Sequence, residues 1–327
     1  MNEFADCLIS VALCTYNGVR YLREQLDSLL AQTYRNIEIV AVDDCSTDAT
    51  IAILQEYAQR DQRLRTFVNP VNLGFKRNFE CAMSMCRGKL IAPCDQDDIW
   101  LNDKLEKLLD AIGSHSMAYC DSSLIAEDGA DLGLKLSDTL KMQHFSEPLP
   151  FVMDNCVSGH AMLFRRELIE QALPIPNGWF HDWWLAAVAS TRDGVVFCPR
   201  ALVRYRQHGE TITDVLRQRF GHGDRPPGSG TKRYEETKQR LRSLAQLPGR
   251  SQNLFVLFLR LWEARSGEWL SFSLAHFIIK YRQRMFAMSK KSDLSLLRKA
   301  SAYLIGLRFR RLVKRRKYAS LRNAGAR

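Results

Sequence analysis

Carboxylates crowd most tightly in the stretch Ala92-Pro93-Cys94-Asp95-Gln96-Asp97-Asp98-Ile99-Trp100, where three Asp fall within four residues and an aromatic stands directly behind them. The apolar run at 89–92 reads as a short buried strand and residues 101–109 as an amphipathic helix. The three acids therefore sit at a strand exit, where open α/β sheets place their ligands. Like charges this close repel one another and lose hydration, so they need a cation or a hydrogen-bond network to stay ionised. Oxygen donors suit Mg²⁺ or Mn²⁺, ions that bridge to substrate phosphates. A turn with a helix N-cap accounts for one or two of these Asp but not for all three.

A second centre is Asn177-Gly178-Trp179-Phe180-His181-Asp182-Trp183-Trp184. Asp182 opens an apolar helix among aromatic rings, so partial desolvation raises its pKa toward a value useful to a general base. A helix N-cap uses the same residue at the same place, and the two roles are compatible. A third group comprises Thr15-Tyr16-Asn17 and Asp43-Asp44, each following an apolar run. An aromatic and a carboxylate can hold a pyrimidine base by stacking and by hydrogen bonds to its N–H. A ribose diol and a metal-bound diphosphate then extend to the acidic trio.

The elements that position these groups follow from the hydrophobic pattern. Residues 8–13, 37–42, 64–68 and 89–92 read as strands. Residues 21–32, 49–58, 75–86 and 101–109 read as helices, the second capped by Ser46 or Thr47. This β-α-β-α order predicts a mostly parallel, doubly wound sheet with loops gathered at the strand C-termini. Residues 116–121, 195–198 and 201–205 add strands, and 122–150 is a mixed segment. There is no GxGxxG after the first strand and no GxxxxGK[ST] anywhere, which excludes a dinucleotide oxidoreductase and a P-loop NTPase.

Taken together, Val11-Ala12-Leu13-Cys14-Thr15-Tyr16-Asn17, Val42-Asp43-Asp44-Cys45-Ser46-Thr47-Asp48, Asn72-Leu73-Gly74 and Asp95-Gln96-Asp97-Asp98 resemble an inverting, metal-dependent family-2 glycosyltransferase. With downstream matches the resemblance covers roughly residues 7–210. It implies a GT-A fold, an α/β doubly wound mixed sheet followed here by a helical C-terminal region. It implies that Tyr16 and Asp44 contact the nucleotide base, with Thr15, Asn17 and Gln96 also at the nucleotide sugar. It further implies that Asp95 meets the ribose, that Asp97 of this DXD motif ligates Mg²⁺ or Mn²⁺, and that Asp182 is the catalytic base. His181 replaces the acidic residue that commonly precedes that base. His208 resembles a late third metal ligand, and Arg206 is expected at the diphosphate. Arg77 is either a further nucleotide contact or part of a solvated helix face. Gly159 marks either a close backbone approach to the donor or a turn that needs glycine dihedrals. Cys45 stands where the family commonly has Gly, a departure expected to alter packing only. His115, His144, His160, His222 and His276 have no supporting context.

The pairing of Asp95–Trp100 with His181–Trp184 most resembles bacterial rhamnosyltransferases that use dTDP-rhamnose in polysaccharide assembly, such as O-antigen. Galactosyl- and glucosyltransferases share the pattern. The expected acceptor is a glycan hydroxyl, lipid-linked.

Charge divides the chain. Residues 1–150 carry 14 Lys and Arg against 23 Asp and Glu, and residues 151–327 carry 33 against 13. An acidic catalytic part at 1–211, a Gly/Pro-rich linker and helix at 212–250 and a basic amphipathic region at 251–327 are the expected domains. Aromatic, aliphatic and cationic residues within 254–288 suit either a packed helical subdomain or a helix on anionic lipid, and the cations of 308–317 are expected on the membrane. Nucleic acid is not the expected partner, because this basic tail reads as helical and aliphatic rather than as aromatics interleaved with cations. Nine cysteines without a CxxC pair read as free thiols in a reducing compartment. With an acidic N-terminus and no apolar run of about 18 residues, the expected location is cytoplasmic and peripheral on the inner face of the membrane.

Overall fold

A computed structural model of the protein describes residues 6–208 and 229–306. The chain forms two compact units, Met1–Pro148 with Asn155–Pro226 and Leu149–Asp154 with Pro227–Arg327.

The first unit is built on a nine-stranded mixed sheet. Strand β1 (Ile9–Thr15) is buried at all seven positions and pairs in parallel with β2 (Ile37–Asp43) and β4 (Leu90–Cys94). β3 (Leu64–Val68) extends this parallel set beside β2. Helices α1 (Leu22–Leu30), α2 (Thr50–Arg60) and α3 (Phe75–Ser84) make the crossovers. The run of apolar residues in β1, β2 and β4 is the pattern of strands covered on both faces. Beyond β4 the sheet continues through β8 (Met162–Arg165), β6 (Met117–Ile125), β9 (Val195–Arg206) and β5 (Ile99–Trp100), with β7 (Asp131–Lys135) paired to β6. β8 lies antiparallel between β4 and β6 and so makes the sheet mixed. Helices α4 (Lys104–Ile112), α5 (Leu168–Ala172) and α6 (His181–Ser190) complete the unit.

Several boundaries differ from the sequence expectation for identifiable reasons. The helix after the acidic trio begins at Lys104 rather than 101, because Ile99 and Trp100 pair with Arg204 and Val203 and the Leu101 N–H donates to Leu202 O. Residues 195–206 form one strand instead of two. Its register jumps between Cys198 and Ala201, absorbing Pro199, which has no N–H to give the ladder. β6 continues to Ile125 rather than ending at 121. Neither Ser46 nor Thr47 caps α2; the Asp48 carboxylate accepts the Thr50 N–H at 2.9 Å instead.

The second unit consists of helices Ser229–Gln246, Gln252–Ala264, Phe272–Met285 and Asp293–Ser301. Phe255, Phe258, Trp262, Leu274, Phe277 and Ile278 are buried in it, and Tyr234 stacks on Trp262. Leu149, Phe151 and Val152 join this unit as fully buried residues. The expected linker residues 212–228 and the cations of 308–317 lie outside the described residues. Among the described residues no helix is long and apolar enough to cross a membrane. All nine cysteines are free.

Candidate active site

The register of β1, β2 and β4 assembles the site. Thr15 stands opposite Asp43 and Leu13 opposite Cys94, so the segments beginning at Tyr16, Asp44 and Asp95 leave the sheet along one edge. Gln96 fastens the first to the third. Its Oε1 accepts the Tyr16 N–H at 2.8 Å and its Nε2 donates to the Tyr16 carbonyl at 3.0 Å. The Tyr16 backbone is thereby fixed while the residue stays 47% exposed, which leaves its ring available for stacking. A Cβ on Gly18 would overlap the Gln96 amide, so a larger residue there would displace the side chain that makes both bonds. Asn17, in the left-handed region at φ +48°, donates its N–H to Ser46 Oγ and accepts the Thr47 N–H. Buried Thr15 donates to Asp43 Oδ1 at 2.8 Å. Thr15, Asn17 and Gln96 thus join the loops to one another.

Asp44 is buried and shapes the next loop. Its Oδ1 accepts from Asn69 Nδ2 and from the Leu73 N–H, and its Oδ2 accepts the Gly74 N–H, each at 2.8 Å. Cys45, next in sequence, has φ +65°. The departure from glycine there is therefore a matter of backbone conformation, correcting the expectation of a packing change alone. Arg77 pairs with Glu80 on a half-exposed turn of α3, the solvated-face alternative.

The acidic trio separates into two groups. Asp98 is fully buried; its Oδ1 accepts the Arg206 N–H at 3.0 Å. Its Oδ2 has no hydrogen-bond partner and lies 3.4 Å from His160 Nδ1. The same nitrogen is 3.8 Å from Asp95 Oδ2, and His160 Nε2 is 3.0 Å from Ser122 Oγ. Lys104, fully buried at the start of α4, donates to the His160 carbonyl at 2.6 Å and rests against the Trp100 ring. Burial drives the Asp98 carboxyl up to about 7, with Asp97 and Asp95 adding to the rise and His160 opposing it. Burial alone would lower His160, but the Asp98 and Asp95 charges outweigh it and raise it. Burial likewise pushes Asp95 upward, and its interaction with His160 reverses the sign to a net lowering. Burial brings the Lys104 ammonium down to about 7. Asp97 and His208 form the second group, with Asp97 Oδ2 and His208 Nε2 only 2.8 Å apart.

Two sets of donors can therefore hold a cation. Asp95, Asp98 and His160 offer three ligand atoms within 4.8 Å of one another, and Asp97 with His208 offers two. Both sets combine carboxylate oxygen, which suits Mg²⁺ or Mn²⁺, with an imidazole nitrogen, a donor that favours a transition ion such as Mn²⁺ over Mg²⁺. A lone His before an apolar strand carries no spacing signal, so His160 is not visible in the sequence as a site residue; the neighbouring Gly159 is the nearest hint. Lys104 and Glu24 gave no signal at all. Arg206 does not stand open for a diphosphate. Its Nε donates to Asp97 O, its Nη1 to Glu127 O and its Nη2 to Glu24 at 2.6 Å, and the guanidinium lies over Tyr21. It braces the backbone of the Asp97 loop.

Asp182 lies in the first turn of α6. Its Oδ1 accepts the Trp183 N–H at 2.7 Å and its Oδ2 accepts from Asn155 Nδ2 at 3.2 Å. Burial raises its pKa; His181 and the Trp183 N–H oppose the rise, and the charge of Asp95 adds to it. Asp182 and Asp95 are thus within electrostatic reach of each other. His181 is buried, stacked 3.9 Å from the Phe79 ring, and neither ring nitrogen has a hydrogen-bond partner. Burial holds its pKa down, against the charges of Asp182 and Asp95, which favours the neutral imidazole beside Asp182. Gly159 begins a short 3-10 turn, and its φ is not positive. A Cβ there would lie 2.6 Å from His181 Nε2, so space rather than dihedral freedom requires the glycine.

Residues 10–173, half of the chain, match glycosyl transferase family 2. The chain is similar to an uncharacterized glycosyltransferase of Haemophilus influenzae, at 27% identity over 64% of this chain and 68% of that one. It is also similar to the putative teichuronic acid biosynthesis glycosyltransferase TuaG of Bacillus subtilis, at 37% identity over 38% of this chain and 50% of that one. It therefore spans between half and about two thirds of the length of these two relatives. Among solved structures, S. aureus TarS 1-349 in complex with UDP-GlcNAc shares the fold, with a TM-score of 0.56 and 16% identity over 90% of each chain. With the mixed sheet and strand-end site described above, these matches identify the chain as a glycosyltransferase of family 2 with a GT-A fold.

Proposed function

We propose that the protein transfers a sugar from a nucleotide-diphosphate donor to a hydroxyl of a glycan acceptor with inversion at the anomeric carbon. The observation that carries this reading is the meeting of Asp97 and His208, 111 residues apart in sequence, at 2.8 Å beside the strand-end loops. A metal that binds a diphosphate must keep coordination positions open. Asp98 and His160 are enclosed, whereas the side chains of Asp97 and Asp95 are 21% and 39% exposed; with Asp95 turned to the ribose, Asp97 and the adjacent His208 are the donor set for the cation. A divalent ion held there would offset the charge of the departing diphosphate.

The remaining roles fall to side chains. The exposed Tyr16 ring stacks on the base, and Asp44 keeps the Asn69–Gly74 loop folded around it. Asn155 and the Trp183 N–H orient the Asp182 carboxylate. Asp182 takes the proton of the acceptor hydroxyl while that oxygen attacks the anomeric carbon from the face opposite the diphosphate. The resemblance of the Asp95–Trp100 and His181–Trp184 segments to rhamnosyltransferases makes dTDP-rhamnose the first donor to test, with a lipid-linked glycan of cell-surface polysaccharide as acceptor. Asp97→Asn is expected to lower turnover by at least ~10²-fold and to weaken nucleotide-diphosphate binding in the presence of Mn²⁺, with unchanged thermal stability. Full activity in excess EDTA, or an unimpaired variant, would overturn the metal assignment.

A further inference from the structure

Arg206 touches both halves of the Asp97–His208 pair. It is the last residue of β9, two positions before His208, and is only 1% exposed. On the Asp97 side its Nε donates to Asp97 O at 2.9 Å, and its own N–H donates to Asp98 Oδ1 at 3.0 Å. On the His208 side its guanidinium lies 4.6 Å from the centre of the Tyr21 ring, and that ring is 5.2 Å from the His208 imidazole. The guanidinium is itself anchored. Nη2 donates to Glu24 at 2.6 Å in the first turn of α1, and Nη1 donates at 2.9 Å to Glu127 O in the turn between β6 and β7. The Tyr21 hydroxyl donates to the Glu127 carboxylate at 3.2 Å and closes the ring of contacts.

An octahedral cation takes its ligands at about 2.0–2.1 Å, so two neighbouring ligand atoms on it stand about 3.0 Å apart. Asp97 Oδ2 and His208 Nε2 are 2.8 Å apart, near that spacing without an ion to draw them together. Holding two side chains from distant parts of the chain at one spacing costs conformational entropy, which a rigid partner can meet in advance. A guanidinium presents its donors in a fixed planar fork, so the groups it binds are fixed relative to one another; a flexible ammonium does not do this. We propose that Arg206 is a positioning residue for the cation, its fork and its N–H setting the spacing of Asp97 and His208. The inference rests on the reading of Asp97 and His208 as the donor set. It gives the buried arginine a part in metal affinity that needs no contact with the diphosphate.

The test titrates the full chain with Mn²⁺ alone and reads the free ion by electron paramagnetic resonance. Arg206→Gln and Arg206→Lys are expected to weaken Mn²⁺ binding by at least ~10-fold, the usual effect of losing a group that orients metal ligands. Lysine keeps the charge but not the fork. Guanidinium ion added to Arg206→Ala should restore part of the affinity, and methylammonium should not. Glu24→Gln loosens one anchor through a side chain that is 58% exposed. It should weaken Mn²⁺ binding by at least ~3-fold with Tm unchanged, and it decides the matter if the Arg206 variants do not fold. In an Asp97→Asn background Arg206→Gln should cost less affinity than in the wild type, because part of its effect passes through Asp97. Folded Arg206 variants that bind Mn²⁺ as the wild type does would overturn the inference and leave the metal site standing. So would full affinity in the lysine variant, or, where the Arg206 variants do not fold, full affinity in Glu24→Gln. A wild type that takes up no Mn²⁺ would overturn the metal site and the inference with it.

Discussion

Replacing Gly159 with Ala asks whether this glycine is present for space. Because its φ is not positive, alanine incurs no backbone strain, and any cost must come from the added methyl. That methyl would stand 2.6 Å from His181 Nε2, with two further ring atoms at 3.4 and 3.5 Å. The ring cannot retreat freely, because Phe79 stacks on it at 3.9 Å with the planes only 19° apart. Overpacking of this kind costs about 1–3 kcal/mol, a fall in Tm of roughly 2–12 °C for a unit of this size. His181→Ala supplies the control, since it empties the space the methyl needs. Thermal unfolding of both single variants and the double variant gives the coupling. The double variant should be more stable than the summed single effects by at least ~1 kcal/mol. Additivity within about 0.5 kcal/mol would refute the argument, because methyl and ring would then not meet.

Two further substitutions probe backbone and base. Cys45→Gly removes a side chain from a left-handed residue at φ +65° and is expected to stabilise the protein by about 1 kcal/mol in urea unfolding, whereas Cys45→Ala should not. Asp182→Asn keeps the size of the side chain but cannot take a proton, so turnover should fall by at least ~10²-fold while nucleotide binding, by calorimetry, holds. Because burial raises the Asp182 pKa, the base loses its charge at a higher pH than an ordinary Asp. In the wild type kcat/KM should therefore decline on the acid side from a pKa above the usual carboxylate range. The same profile measured on the residual activity of the Asn variant should lack that limb.

The parallel half of the sheet was legible because β1, β2 and β4 are short apolar runs that end in polar residues, a pattern local to each segment. Strand-end placement likewise puts Tyr16, Asp44 and Asp95 along one edge of the sheet from the sequence alone. What was not legible depends on pairings distant in sequence. Ile99 and Trp100 are strand only because β9 arrives beside them. Gln96 joins its backbone partner across 80 residues. Arg206 looked like a phosphate ligand because sequence shows a cation and not the Glu24 carboxylate that occupies it. Cys45 carried a usable signal, a non-glycine where glycine is common, but residue type alone did not reveal a dihedral requirement.

Residues 149–154 set an order of events for the nascent chain. Leu149, Phe151 and Val152 are fully buried in the helical unit, packed against Phe272–Met285, which is synthesised about 120 residues later. While the ribosome makes the intervening chain, this apolar tripod has no permanent cover and must be sheltered by transient contacts or a chaperone. The same interleaving governs how the gene can be cut or recombined. Ending the reading frame after residue 226 would strand those three side chains, and a helical unit borrowed from another protein would have to provide a socket shaped for them. Exchange of C-terminal regions between relatives is therefore expected to succeed only when the segment at 149–154 travels with them.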